Sequence, residues 1–210
     1  MAALMAGPEP PPAWRVDRFA RDAALTILSA KGGAGKSWVG MAACAAVQAG
    51  QPMAALSVEQ GSAVYVDGEM GSQQMVDRFK AAGLDGDAFT VIDALGLDIG
   101  QPSGIDQLTA TLRASGAKFV LLDSLRKLAP TMRENESDDM GQLLAALTLM
   151  ARNLDAAVVV IHHAGHGERF LRGSAAIRDQ GRRRIRARAS GRRTAALLRP
   201  GEGRQVPAWC

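Results

Sequence analysis

The chain has 210 residues, 47% of them hydrophobic but only 4% aromatic, and a formal net charge of +4. That length suits one domain, and that apolar fraction excludes wholesale disorder while resting the core on Ala, Val, Leu, Ile and Met. No apolar run approaches the ~18 residues of a membrane span, and Cys44 and Cys210 make neither a disulfide framework nor a zinc site.

Taken in chain order, residues 1–13 are rich in Ala and Pro and are expected to be disordered. The start, MAALMAGPEPPPAW, lacks the basic and apolar regions of a secretion signal, so a cytoplasmic chain without a membrane partner is expected. Ala24–Ala30 (ALTILSA) predicts a strand and Ser37–Ala49 a helix rich in small residues. Ala63–Val66 predicts a second strand, followed by a helix over 72–82. Phe89–Ala94 predicts a third strand, with a helix around 105–114. Lys118–Asp123 (KFVLLD) is the fourth strand, and the acidic stretch Arg133–Asp139 caps a long helix over 140–153. Ala156–His162 (AAVVVIH) is the fifth. Buried-looking strands alternating with helices imply βαβ units, hence an α/β fold whose mainly parallel sheet is sandwiched by helices. Right-handed crossovers bring every strand's C-terminal end to one rim, where ligands of such sheets bind.

The chemistry concentrates on that rim. Ala30-Lys31-Gly32-Gly33-Ala34-Gly35-Lys36-Ser37 lies between a predicted strand and a predicted helix, and Trp38 follows it directly. Its glycines let backbone N–H groups turn inward around a phosphate, and the helix N-terminus adds a partial positive charge. Lys36 is suited to the β- and γ-phosphates of ATP and the Ser37 hydroxyl to Mg²⁺. Asp123 closes an apolar run, the geometry of a second metal-side carboxylate. Glu69, after the strand in AVYVDGEM, is placed to polarise an attacking water as general base. Asp67 competes for that role, and either acid is also placed to cap the helix near Ser72. His162 and His163 end the fifth strand, with His166 close behind, but no Cys or acid at ligand spacing completes a metal site. Contact with the γ-phosphate or the attacking water is the more economical role for them. Arg169, Arg172 and Arg178 follow just beyond the rim.

In order, AKGGAGKS, VYVDGEM, FVLLDSLRKLAP, VVVIHHAGHG and LRGSAAIRDQ resemble the RecA-type ATPases over residues 14–180. The likeness is strongest to the RepA-like group of plasmid and phage replicative helicases and their AAA-family relatives. The resemblance implies a RecA-like P-loop core, usually hexameric, coupling ATP hydrolysis to movement on single-stranded DNA alongside replication proteins. It implies ATP–Mg²⁺ binding by residues 30–38, with Lys36 and Ser37 central. It also implies Asp123 as the Walker B acid, Glu69 as the catalytic glutamate, and His162 or His163, here His163, as the strand-end sensor. Arg172 heads the family's R-G-S stretch, near the DNA-facing or intersubunit side. Lys31 gives K-G-G-x-G-K-S, which also resembles the deviant loop of ParA/MinD partition ATPases. Those carry D-x-D-P directly after the first helix, whereas here Gln51–Gly61 intervenes and the motif is D-G-E-M. A non-catalytic nucleotide- or DNA-binding fragment is the third alternative.

Residues 181–210 depart from everything before them. They carry nine arginines against Glu202 alone, or +8, while residues 1–180 hold 16 basic and 20 acidic side chains, or −4. Only this tail has the charge to attract nucleic acid. The family continues instead with an apolar strand beginning Ala-Asp. Back-translating from Gly181 with permitted codons and reading one nucleotide later gives Ala-Asp-Ala-Val-Phe-Ala-Leu-Glu. The expectation is a frameshifted end that replaces the native C-terminal strands, with a genuine basic arm as the alternative.

Overall fold

The computed structural model describes residues 13–132, 137–163 and 185–186. Two short strands come first, β1 (Trp14–Val16) and β2 (Ala20–Arg21), followed by β3 (Ala24–Ala30) and α1 (Lys36–Ala49). Then come β4 (Ala63–Asp67), α2 (Ser72–Ala82), β5 (Thr90–Asp93), α3 (Pro102–Ala114) and β6 (Phe119–Asp123). The chain continues through α4 (Leu125–Leu128), α5 (Ser137–Leu154), β7 (Ala157–His163) and β8 (Ile185–Arg186).

The sheet runs β5-β4-β6-β7-β3-β8, and every neighbouring pair in it is parallel. β3, which leads into the glycine-rich loop, therefore sits beside β7 rather than beside β4, which follows it in sequence. Asp67, Asp123, His162 and His163 stand at the C-terminal ends of β4, β6 and β7, with Glu69 in the turn after β4. This is the expected α/β architecture of a RecA-like P-loop core.

Both faces of the central strands β4, β6 and β7 are buried, which explains their near-continuous apolar runs. Val64, Val66, Val120, Leu122, Val158 and Val160 join one core with α3, α4 and α5. Ala63, Tyr65, Phe119, Leu121, Val159 and Ile161 join the other with α1 and α2. Each fully buried Val, Leu or Ile contributes about 1.5–3 kcal/mol, so the central strands anchor the rim through side chains packed on both sides.

Several boundaries differ from expectation. α3 starts three residues earlier, at Pro102, because proline lacks an N–H and suits a helix's first turn. β7 reaches His163, so both histidines lie in the strand. α4 was not predicted; its single turn buries Leu125 and Leu128 directly after Asp123. The β1–β2 hairpin was not predicted either. Arg15 secures it, donating from Nε to Asp22 Oδ1 at 2.9 Å and from Nη1 to the Gln60 carbonyl at 2.9 Å. Val16 bridges Val58, so the 51–62 connection packs against the hairpin instead of standing apart. Among the described residues β8, from the arginine-rich tail, pairs with β3 at Leu28 and Ser29. The N-terminal stretch 1–12 and the rest of the tail lie outside the described residues.

Candidate nucleotide site

Gly33 and Gly35 have φ of 74° and 82°, a backbone open to glycine at little cost. The loop closes on itself through Ala34 N–H to the Lys31 carbonyl at 3.3 Å. A Cβ built at Gly32, Gly33 or Gly35 would meet nothing within 4 Å, so the space above the loop is open. α1 then begins at Lys36 with no side-chain cap and no acid in its first turn. Its first N–H groups are thus available to an outside acceptor, and its partial positive charge is not neutralised locally.

Lys36 is 4% exposed and folds back on its own loop. Its Nζ donates to the carbonyls of Ala30 at 2.9 Å and Lys31 at 3.0 Å, and lies 3.4 Å from His163 Nδ1. Burial lowers the lysine's pKa from its ordinary value, and the negative charges of Asp123 and Glu69 partly offset that shift. Lys36, Glu69, Asp123 and His163 therefore form one electrostatic neighbourhood.

Strand alternation accounts for the grouping. On β7, Val159 and Ile161 face α1, and His163 continues that series. His162 points to the opposite face and is 1% exposed. On β6, Phe119 and Leu121 face α1, and Asp123 follows. Asp67 occupies the same phase on β4, directly opposite Asp123.

The two acids after β4 are sharply distinguished. Asp67 is buried and its carboxylate accepts N–H groups from Glu69, Met70 and Gly71 at 2.9–3.1 Å. It closes the turn before α2, whose N-cap is Gly71 without a side-chain cap bond, so it does not take the helix-capping role that the sequence left open. Gly68 N–H donates to the Asp123 carbonyl at 2.8 Å, pinning the turn to β6. Glu69 is left at the rim, 39% exposed, with Oε2 3.8 Å from His163 Nε2. The carboxylate thus has access to solvent on a backbone held in place.

Asp123 is 1% exposed. Its Oδ2 accepts a short hydrogen bond from the Tyr65 hydroxyl, while Oδ1 is buried with no hydrogen-bond partner among the described residues. Trp38 lies under the Arg78 guanidinium, 5.9 Å from its ring centre. Sequence reasoning missed both Tyr65 and Arg78. The same alternation that selects Asp67 and Asp123 was a signal for Tyr65, two residues before Asp67 on the same face. Arg78 had none, since a lone arginine on α2 resembles any solvated charge. His166, Arg169, Arg172 and Arg178 lie outside the described residues.

These donors fit a nucleoside triphosphate and a divalent cation. An open glycine loop, unneutralised helix N–H groups and the Lys36 ammonium suit phosphate, and Asp123 Oδ1, without a hydrogen-bond partner among the described residues, suits a cation or its water. A sequence model of the AAA domain matches residues 1–169. The chain belongs to that AAA-domain family. Membership makes it an AAA-type P-loop protein, a family whose general activity is nucleotide binding and ATP hydrolysis with Mg²⁺. A search of curated proteins finds no match to this AAA-domain chain. Hollows of ≈ 600 and ≈ 410 Å³ flank α3, and the phosphate loop lines neither. Among the described residues no helix of this AAA-domain chain is long and apolar enough to cross a membrane.

Proposed function

We propose that the chain is an ATP-hydrolysing RecA-fold motor of the RepA-like helicase type, acting on single-stranded DNA in plasmid or phage replication. The observation that carries the catalytic part is the convergence of Lys36, Glu69, Asp123 and His163 on one face of the rim. Residues 30–38 cradle the phosphates, with Lys36 turning from its carbonyl partners to the β- and γ-oxygens. Mg²⁺, when bound, neutralises developing phosphate charge, and Ser37 and Asp123 are the residues that hold it. Glu69 accepts a proton from water aligned with the γ-phosphorus, a role its solvent access and fixed backbone support. His163, touching both Lys36 and Glu69, senses the γ-phosphate and transmits its presence along the chain that follows β7. Single-stranded DNA as substrate and a hexameric ring as the working assembly follow from the resemblance of the motifs.

Steady-state ATP hydrolysis with and without single-stranded DNA tests this reading. Turnover is expected to rise with DNA and to vanish in Lys36→Ala together with tight ATP binding. An unchanged nucleotide affinity in Lys36→Ala would sink the site assignment. A ParA-like switch is the second reading, because Lys31 stands exposed at the mouth of the loop. ATP-dependent dimers that disappear in Lys31→Ala would favour it over the motor.

A further inference from the structure

β4 and β6 are paired in register, with Tyr65 opposite Leu121 and Asp67 opposite Asp123. The Tyr65 ring spans the two-residue offset and its hydroxyl donates to Asp123 Oδ2. Tyr65 is completely buried, and its ring stacks on Phe89 with centres 6.2 Å apart. The carboxylate is therefore held asymmetrically, one oxygen bonded and the other, Oδ1, buried without a partner among the described residues. Burying a carboxylate oxygen without a donor is costly, and the cost is removed by a ligand that takes that oxygen.

We propose that Tyr65 is a positioning residue that ties down Oδ2 of Asp123 and so presents Oδ1 to the magnesium-bound nucleotide. This rests on the assignment of Asp123 to the metal side of the site. A phenol suits the task better than a cationic donor would. It fixes the carboxylate's rotation yet leaves its full negative charge for a divalent cation, which an Arg or Lys in the same place would cancel. The charged groups facing the phenol are Asp123, Arg78 and Asp67. Burial, and then the Asp123 charge, push its pKa above the ordinary tyrosine value. Phe89 supports the ring from outside the metal site.

The test is a Mg²⁺ titration of binding by a fluorescent ATP analogue to the full chain. Tyr65→Phe, which keeps the ring, is expected to raise the Mg²⁺ concentration for half-maximal binding about ten-fold. Its affinity for the nucleotide without metal should stay at the wild-type value. In an Asp123→Asn background, Tyr65→Phe should add no further shift, because it acts only through that carboxylate. Phe89→Leu disturbs the packing but not the hydroxyl; it should lower the melting temperature and leave the Mg²⁺ dependence alone. An unshifted Tyr65→Phe, or a Phe89→Leu shift of equal size, overturns the positioning role while leaving the nucleotide site intact. An Asp123→Asn chain with wild-type Mg²⁺ dependence overturns the metal-side assignment as well.

Discussion

Lys36 holds a positive charge where the fold solvates it poorly. Its ammonium is almost fully covered and has two backbone carbonyls as partners, and burial lowers its pKa below the ordinary 10.5. The unfolded chain therefore binds that proton more tightly than the folded one. Between the lowered folded value and 10.5, stability rises with pH; below that window the full penalty is present. Phosphate oxygens would repay the penalty, so a destabilising lysine is what a binding site of this kind requires. Lys36→Met should accordingly melt at or above the wild-type temperature at pH 7 without nucleotide, and the gap should shrink as pH approaches 10.5. Melting curves of the two chains across pH check this; a variant that melts lower at pH 7 with a pH-independent gap would refute it. At this scale much of the candidate site was legible. Lys36, Glu69, Asp123 and His163 stand in motifs whose phase on each strand fixes the face they share. Choosing Glu69 over Asp67 was harder, because only the three N–H groups converging on Asp67 show that its carboxylate is already occupied. Tyr65 stayed hidden because a tyrosine inside an apolar strand looks like core until its hydroxyl's partner is seen.

Among the elements, α1 has the strictest demands, since it follows the glycine-rich loop at one end and packs across β4 and β6. The contact is close at Gly40, where a Cβ would overlap the Leu121 side chain, itself fully buried between the helix and the sheet. Gly40→Val forces the helix outward or Leu121 out of its rotamer, at a cost of about 1–3 kcal/mol. For a chain of this size that lowers the melting temperature by roughly 2–10 °C. Because Asp123 is two residues beyond Leu121 on the same face, the same displacement should weaken Mg²⁺–ATP binding. Gly32→Ala is the control: its Cβ meets nothing, and its melting temperature should stay unchanged. Calorimetry and nucleotide titration of both variants separate packing from loop chemistry. The strands and long helices were readable because strands buried on both faces are written as apolar runs and helices as periodic ones. The β1–β2 hairpin and α4 were not, since two- to four-residue elements have no period and depend on distant partners. Arg15 reaches Gln60, and Leu128 lies over Gly68.

For the whole molecule, the β3 side of the sheet is where the arginine-rich tail meets the core. β7 pairs with β3 over seven residues, and among the described residues β8 pairs with it at Leu28 and Ser29. β3 leads into the glycine-rich loop at 30–37, so what pairs along this edge bears on the strand that positions the loop. The segment 181–188 is arginine-rich as it stands, and codons can be chosen for it that read as an alternating ADAVFALE one nucleotide later. An alternating strand in the β8 register would place its phenylalanine at the position opposite Leu28, on the α1 side of the sheet. Exchanging 181–188 for ADAVFALE is therefore expected to raise the melting temperature. It also removes five arginines (182, 183, 184, 186 and 188) and adds two acids, erasing most of the tail's positive excess. If the motor grips DNA through its RecA-like core, DNA-stimulated ATP turnover should survive the exchange while salt-sensitive, sequence-independent DNA binding falls. Thermal melting, turnover and a salt titration of DNA binding on the exchanged chain provide the check. A lower melting temperature together with loss of DNA-stimulated turnover would instead make the arginine-rich segment a native edge strand and the DNA-binding arm of the protein.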